Sequence, residues 1–346
     1  MEANLIIRDS FNLEQLVDLQ GKCSFAQKKA ISRELSKRIT LYLENSKIYN
    51  DYDNFQPRRE IEKSVETLNH IGFIELGSRL NKRQILETTG YFSQLPCYNA
   101  HLVTKSDKVP RKLNAGASNF PFGSFSMRDV IGAPNVLELA NAPEILAFAS
   151  EYLGCAPTLY SMNAWWSFPG HEVEEKMTQG FHRDEDDFKN CVLFLYLTDT
   201  DEDSGAHEYI RGTHSQDLTR ELLEGTSFPL INIGTYESPK WVKVQFEDLF
   251  EGACYGGDRI YERMFGEQIS QINGKAGDAF ISDPSGLHRA TPPKESSRLI
   301  VWIRYGYYEN KAYQADGIIP VDFDWSSGRI PDSNLHRYIN RLVLKA

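Results

Sequence analysis

The chain has 346 residues, 41% of them hydrophobic and 25% charged, which allows a sizeable buried core. A formal net charge of -10 at pH 7 argues against a nucleic-acid backbone as partner, because such binding needs a Lys/Arg surface. No stretch approaches the roughly 20 apolar residues of a membrane span, and Met1-Glu2-Ala3-Asn4-Leu5 lacks the features of a signal peptide, so a cytoplasmic protein is expected.

Residues 1–95 read as mainly helical. Ser24 and Gln27 form a capping-box pattern, followed by Ile31, Leu35, Ile39 and Tyr42 at helical spacing. A second helix is expected from Pro57, with Ile61, Val65, Leu68 and Ile71 inward and Gly72 as its stop. Phe73 to Leu76 reads as a strand, and a further helix is expected near 79–92. Residues 96–130 look irregular, with an aromatic, turn-rich loop from Asn119 to Phe125. Asn141-Ala142-Pro143-Glu144 has the marks of a helix start, and Gly154 of its end.

From there the pattern changes. Thr158 to Phe168 suits a half-buried strand, and Cys191 to Leu197 is a continuous apolar one. His171 to Gln179 is polar and reads as a loop. Gly205 to Ile210, Gly277 to Ile281 and Arg298 to Tyr307 complete the strands, with a turn at Gly212-Thr213-His214. In the last strand Arg298, Ile300, Trp302 and Arg304 share one face, and Leu299, Val301, Ile303 and Tyr305 the other. Gly256-Gly257 suggests a bend, and a last helix is expected at 333–344. The five cysteines (Cys23, Cys97, Cys155, Cys191 and Cys254) are scattered without a CxxC pair, which fits reduced thiols rather than a disulfide framework.

The informative stretch is Gly180-Phe181-His182-Arg183-Asp184. On an extended strand, His182 and Asp184 leave the same face while Arg183 points away. An isolated His-x-Asp is common, and three such groups are needed to hold a metal. His288, far downstream, offers the third. Two imidazoles and one carboxylate on one face of a metal, with the other positions open, suit non-haem Fe(II) and oxygen chemistry. A bidentate 2-oxo dicarboxylate at the open positions would need a fixed cation for its far end, and arginine fits because its planar fork stays charged. Arg298 is the first choice and Arg304 the second.

The ordered set His182-Arg183-Asp184, Ser204-Gly205-Ala206 leading to Gly212-Thr213-His214, then His288 and Arg298, resembles the phytanoyl-CoA dioxygenase family of Fe(II)/2-oxoglutarate-dependent oxygenases. The resemblance covers roughly 70–310. It implies an α+β chain with a mostly β core, a double-stranded β-helix (a jelly-roll, cupin-like barrel) flanked by N-terminal helices. It also implies iron at His182, Asp184 and His288, with the far carboxylate of 2-oxoglutarate at Arg298. Asn163 and Thr291 are further candidate contacts to that co-substrate, and O2 is the oxidant. Halogenases related to this family replace the carboxylate ligand with a small residue, so Asp184 implies hydroxylation or another C–H oxidation.

One domain over 1–346 is expected: a mainly helical part at 1–95, a barrel core at 155–310, an insertion at 216–275 placed over the barrel mouth, and a tail at 308–346. His207 and Arg211 stand where the family usually has an apolar residue and a proline. His207 either reaches the substrate or is a barrel histidine bonded to a carboxylate, the second being favoured, and His214 is expected to be structural. The substrate is a small molecule of unread identity, and phytanoyl-CoA itself is not expected, since its phosphates would want basic residues where Arg111, Lys112 and Arg128 are scattered. Two other functions fit parts of the pattern: a cupin-type metal-dependent isomerase or hydrolase, which would not need Arg298, and a non-catalytic small-molecule-binding barrel.

Overall fold

Ser24 caps the first helix, α1 (Phe25–Asn45), by a reciprocal box: Gln27 N donates to Ser24 Oγ and Ser24 N to Gln27 Oε1. The computed structural model describes residues 22–46, 48, 59–99, 121–171, 179–184, 186–224, 230–232, 241–243, 246, 258–307 and 320–345. Pro57, Asn119, Phe120, Cys254, Gly256, Gly257 and the parts of the predicted loop and tail at 172–178 and 308–319 lie outside these residues.

In α1, Leu35, Ile39 and Leu43 are buried at a helical spacing. Helix α2 (Arg59–Ile71) buries Val65 and Leu68. It stops at Gly72, whose φ of +100° suits glycine, and a Cβ there would lie 2.4 Å from the Tyr209 ring. Strand β1 (Phe73–Ser78) follows, then α3 (Lys82–Gln94). This helix starts later than the apolar spacing suggests because Asn81 and Gln84 form a second capping box. The described parts of 96–130 are less irregular than expected. They include β2 (Tyr98–Asn99), β3 (Phe122–Ser124) and α4 (Met127–Gly132), and β3 pairs with the later strand through Gly123 opposite Trp166.

After α5 (Val136–Ala140) comes α6 (Pro143–Leu153), which ends at Gly154 with φ +78°. Asn141 is not its side-chain cap. Its amide is used in a buried pair with Asn340 and in a bond to the Leu137 carbonyl. The remaining elements are β4 (Thr158–Ser167), β5 (Cys191–Tyr196), β6 (His207–Ile210), α7 (Gln216–Leu222), β7 (Leu230–Asn232), β8 (Trp241–Lys243), α8 (Asp258–Phe265), β9 (Ile269–Ile272), β10 (Asp278–Ser282), β11 (His288–Ala290), β12 (Arg298–Gly306) and α9 (Asn334–Asn340).

The larger sheet has the order β1-β10-β5-β12-β4-β3-β2 and the smaller one β11-β6-β9, with β7 and β8 pairing apart. All pairs within these sheets are antiparallel. The alternation read in β12 holds. Leu299, Val301, Ile303 and Tyr305 join the large core beneath the helices. Ile300 and Trp302 turn the other way and cluster with Val192, Tyr196 and Phe280 of the same sheet and with Tyr209 and Ile272 of the smaller one. The two sheets therefore pack face to face across these side chains.

In the described part of the insertion, Tyr261 and Phe265 of α8 pack with Phe181, Ile210 and Leu287, backing the segment that carries His182. Among the described residues Cys23, Cys97, Cys155 and Cys191 are free thiols, and no helix is long and apolar enough to cross a membrane.

Gly286 is the tightest point of this packing. A Cβ added there would lie 1.8 Å from Tyr209 Oη, and that hydroxyl is fixed by donating to the Asp283 carbonyl at 2.7 Å. Gly286→Ala is expected to lower stability by about 1–3 kcal/mol or more through overpacking, read as a reduced urea midpoint at unchanged slope.

Candidate metal centre

Two segments remote in sequence meet as one antiparallel rung. His182 N donates to the His288 carbonyl at 2.9 Å, and His288 N to the His182 carbonyl at 3.0 Å. Asp184 N donates to the Pro284 carbonyl at 2.9 Å, which keeps the strand on course past the rung. The two imidazole centroids are 4.3 Å apart. Arg183 points away, as the strand alternation requires, and its Nη1 donates to the carbonyls of Thr213 and Ser285.

The side chains of His182, Asp184 and His288 converge. His182 Nε2 is 3.7 Å from Asp184 Oδ1, and His288 Nε2 is 4.0 Å from Asp184 Oδ2. One ligand atom from each lies within 4.8 Å of the others, an arrangement able to hold a metal ion. The tautomers are set by the backbone. His182 Nδ1 lies 2.8 Å from the Gly180 carbonyl and His288 Nδ1 lies 2.9 Å from the Gly286 carbonyl. A carbonyl only accepts, so both Nδ1 atoms carry a proton and both Nε2 atoms face the carboxylate.

The charge states suit a metal. Burial alone would raise the Asp184 pKa, but His288, His182 and Arg304 outweigh it and hold the carboxyl below its usual range. Burial, reinforced by His182, brings His288 down to about 4, so its imidazole is neutral at pH 7. Metal ligation requires these two forms, an ionised carboxylate and a neutral imidazole.

The triad opens into a cavity of about 70 Å³. Its walls include the inward face of β12 (Arg298, Ile300, Trp302 and Arg304) together with Trp165, Phe194, His207 and Ala290. Trp165 and Trp302 meet edge to face at 5.0 Å. Arg298 is 3% exposed. Its Nη1 donates to the Gly205 carbonyl and its Nη2 to Ser167 Oγ at 3.2 Å, while its buried Nε has no partner. Among the described residues no carboxylate pairs with it. A buried cation without a counter-ion is costly, so this guanidinium fits an anion reaching it through the cavity.

Arg304 takes the place nearer the triad. Its Nη2 is 3.6 Å from Asp184 Oδ2 and its Nε 3.0 Å from Asp186 Oδ2, and its Nη1 donates to Asn163 Oδ1 at 2.9 Å. With both carboxylates beside it, Arg304 is already neutralised. Arg304→Met would leave the buried Asp186 carboxylate without its guanidinium. A loss of about 3–5 kcal/mol is expected in denaturant unfolding of the metal-free protein.

The structure brings His182, Asp184, His288 and Arg298 to one cavity and does not bring Asn163 or Thr291 to its wall. Asn163 spends its side-chain oxygen on Arg304 and Ser161. Thr291 donates its hydroxyl to the Ala206 carbonyl at 2.9 Å. His207 also departs from expectation. Among the described residues no carboxylate partners it, and its Nε2 is buried against the cavity without a hydrogen bond. His214 is held as a structural residue, with Nε2 2.9 Å from the Asn69 carbonyl. Phe194 and Asp186 escaped the sequence analysis. Asp186 could have been found by extending the alternation of 182 and 184 by one step, but residues 185–187 are acidic and resemble a solvated loop.

Several solved structures align with much of the chain at low identity. No family model matches its sequence, and no curated protein matches it. Among solved structures, the non-haem alpha-ketoglutarate-dependent carbocyclase SnoK from nogalamycin biosynthesis is 14% identical over 70% of this chain and 82% of its own, with a TM-score of 0.40. The epimerase SnoN, in complex with Fe3+, alpha-ketoglutarate and nogalamycin RO, is 14% identical over 71% and 83%, with a TM-score of 0.41. EvdO2 from Micromonospora carbonacea var. aurantiaca, complexed with 2-oxoglutarate, is 16% identical over 70% and 89%, with a TM-score of 0.38. Identities of this size say nothing of substrate.

Proposed function

We propose that the protein is a non-haem Fe(II)- and 2-oxoglutarate-dependent oxygenase that hydroxylates a small molecule. The observation that carries this is the pairing, in one cavity, of a His-Asp-His group with a buried arginine that has no counter-ion among the described residues. The strand orders support a double-stranded β-helix: β10-β5-β12-β4 forms one wall, and β11-β6-β9, extended by the rung at His182, forms the other. A cupin-type isomerase or hydrolase would use the triad but leaves Arg298 unexplained.

In this proposal His182, Asp184 and His288 would hold the iron. Their Nδ1–carbonyl bonds keep the rings from rotating. Arg298 binds the far carboxylate of 2-oxoglutarate, and Trp165, Ile300 and Trp302 exclude water from the space between. Asn163 and Thr291 act indirectly. Asn163 fixes Arg304 beside Asp184, and Thr291 ties β11 to Ala206, the neighbour of the Gly205 carbonyl that orients Arg298. Ferrous iron with 2-oxoglutarate and O2 would supply the oxidation, releasing succinate and CO2. A second cavity, of about 340 Å³, also reaches Asp184 and is lined by Lys29, Arg33 and Lys189 among others.

The test is anaerobic titration of the full chain with Fe(II) and then 2-oxoglutarate. A visible charge-transfer band should appear only with both present, and admitting O2 with a substrate panel should release succinate. A protein that takes up Fe(II) but gives neither the band nor calorimetric heat with 2-oxoglutarate is not of this class.

A further inference from the structure

His207 has no role in the proposal above, yet its position is unusual. It opens β6 on the cavity wall and is 5% exposed. Apolar groups surround it: the rings of Phe194 and Phe280 lie 4.9 and 5.2 Å from its own, and Ala290 and Ile272 are its register partners. Packing alone would favour an aliphatic side chain here. Buried side-chain nitrogens are rarely left without a partner, and His207 Nε2 has none.

Its place along the cavity is defined from both sides. The ring lies parallel to that of His288, with centroids 5.4 Å apart and an interplanar angle of 13°. Two residues earlier, the Gly205 carbonyl accepts from Arg298. His207 therefore sits between the metal-binding triad and the arginine, against whatever spans them. An imidazole in either charge state carries at least one N–H, and among the described residues no carboxylate claims it.

We propose that His207 is a positioning residue that donates a hydrogen bond to the dicarboxylate spanning the metal and Arg298. This rests on the co-substrate assignment made above. The histidine gives the co-substrate an additional polar contact on a wall that is otherwise aromatic and aliphatic. Its side chain is satisfied only when the anion is present, so affinity for the anion is gained at the expense of stability in its absence.

The test compares wild type, His207→Leu and His207→Gln as full-length proteins. Three quantities are read: calorimetric affinity for 2-oxoglutarate on the anaerobic Fe(II) form, Fe(II) affinity, and the thermal midpoint of the metal-free protein. His207→Leu should weaken 2-oxoglutarate binding roughly tenfold or more, leave Fe(II) affinity unchanged, and keep or raise the thermal midpoint. His207→Gln retains a donor and should bind within a few-fold of wild type. If His207→Leu fails to fold, His207→Met, unbranched and apolar, serves in its place. Equal 2-oxoglutarate affinity in wild type and the apolar variant would overturn the role of His207 while leaving the oxygenase assignment intact. A loss shared equally by leucine and glutamine, with Fe(II) affinity lost as well, would show a packing role and overturn it too. Failure of wild type to bind 2-oxoglutarate would instead remove the co-substrate assignment on which both stand.

Discussion

Asp184→Ala is expected to leave a folded protein that no longer retains iron. The carboxylate is the charged member of the triad, and it faces both Nε2 atoms at 3.7 and 4.0 Å. Removing even an outer-shell partner of a metal ligand typically costs 10–100-fold in affinity or activity. Loss of a direct charged ligand should therefore exceed roughly 100-fold and abolish turnover. The fold should survive because the rung between His182 and His288 is made by backbone groups, and Arg304 retains Asp186 and Asn163. Metal content after anaerobic reconstitution and desalting is the readout, with circular dichroism as the check on folding. Iron retained at the wild-type level would mean that the metal, if any, sits elsewhere.

Arg298→Leu should separate the metal from its organic partner. The guanidinium is the anion's expected counter-charge, and charge-assisted bonds of this kind contribute about 1.5–3 kcal/mol each. Losing a two-pronged contact should weaken 2-oxoglutarate by about 100-fold or more, with Fe(II) affinity unchanged. Arg298→Lys should recover only part of this, since an ammonium cannot reproduce the planar fork. The contrast with a 2-oxo monocarboxylate is the sharper measurement. Such a ligand has no far carboxylate, so its affinity should be nearly the same in wild type and Arg298→Leu. If both ligands weaken equally, the arginine acts through the Gly205 and Ser167 contacts that it also makes, and not through the anion.

Much of this arrangement was legible in the sequence because it depends on alternation. The two-residue spacing of His182 and Asp184 and the paired faces of β12 are properties of any extended chain, and they placed Arg298, Ile300, Trp302 and Arg304 on one wall. The order of motifs indicated that His288 would join them. What could not be read was which hydrogen bond a polar side chain would choose. Asn163 faced two claims, a ligand or Arg304, and the buried guanidinium took it. Asn141 was expected at a helix cap but is held by another buried amide from the far end of the chain. His207 was expected beside a carboxylate, but the sheet surrounds it with rings. Each of these outcomes depends on contacts between segments distant in sequence, which local pattern does not encode. The strand at Phe122 was missed for the same reason, since it exists by pairing with β4.

The rung joining His182 to His288 also sets when, during synthesis, the proposed metal centre can form. Its two halves are separated by more than a hundred residues of intervening chain, so the site cannot assemble on a nascent polypeptide until the second half has left the ribosome. Under the proposed function, iron capture would be a late event that reports completion of long-range pairing, and a truncated or stalled product would have no such trap in which to sequester a redox-active ion.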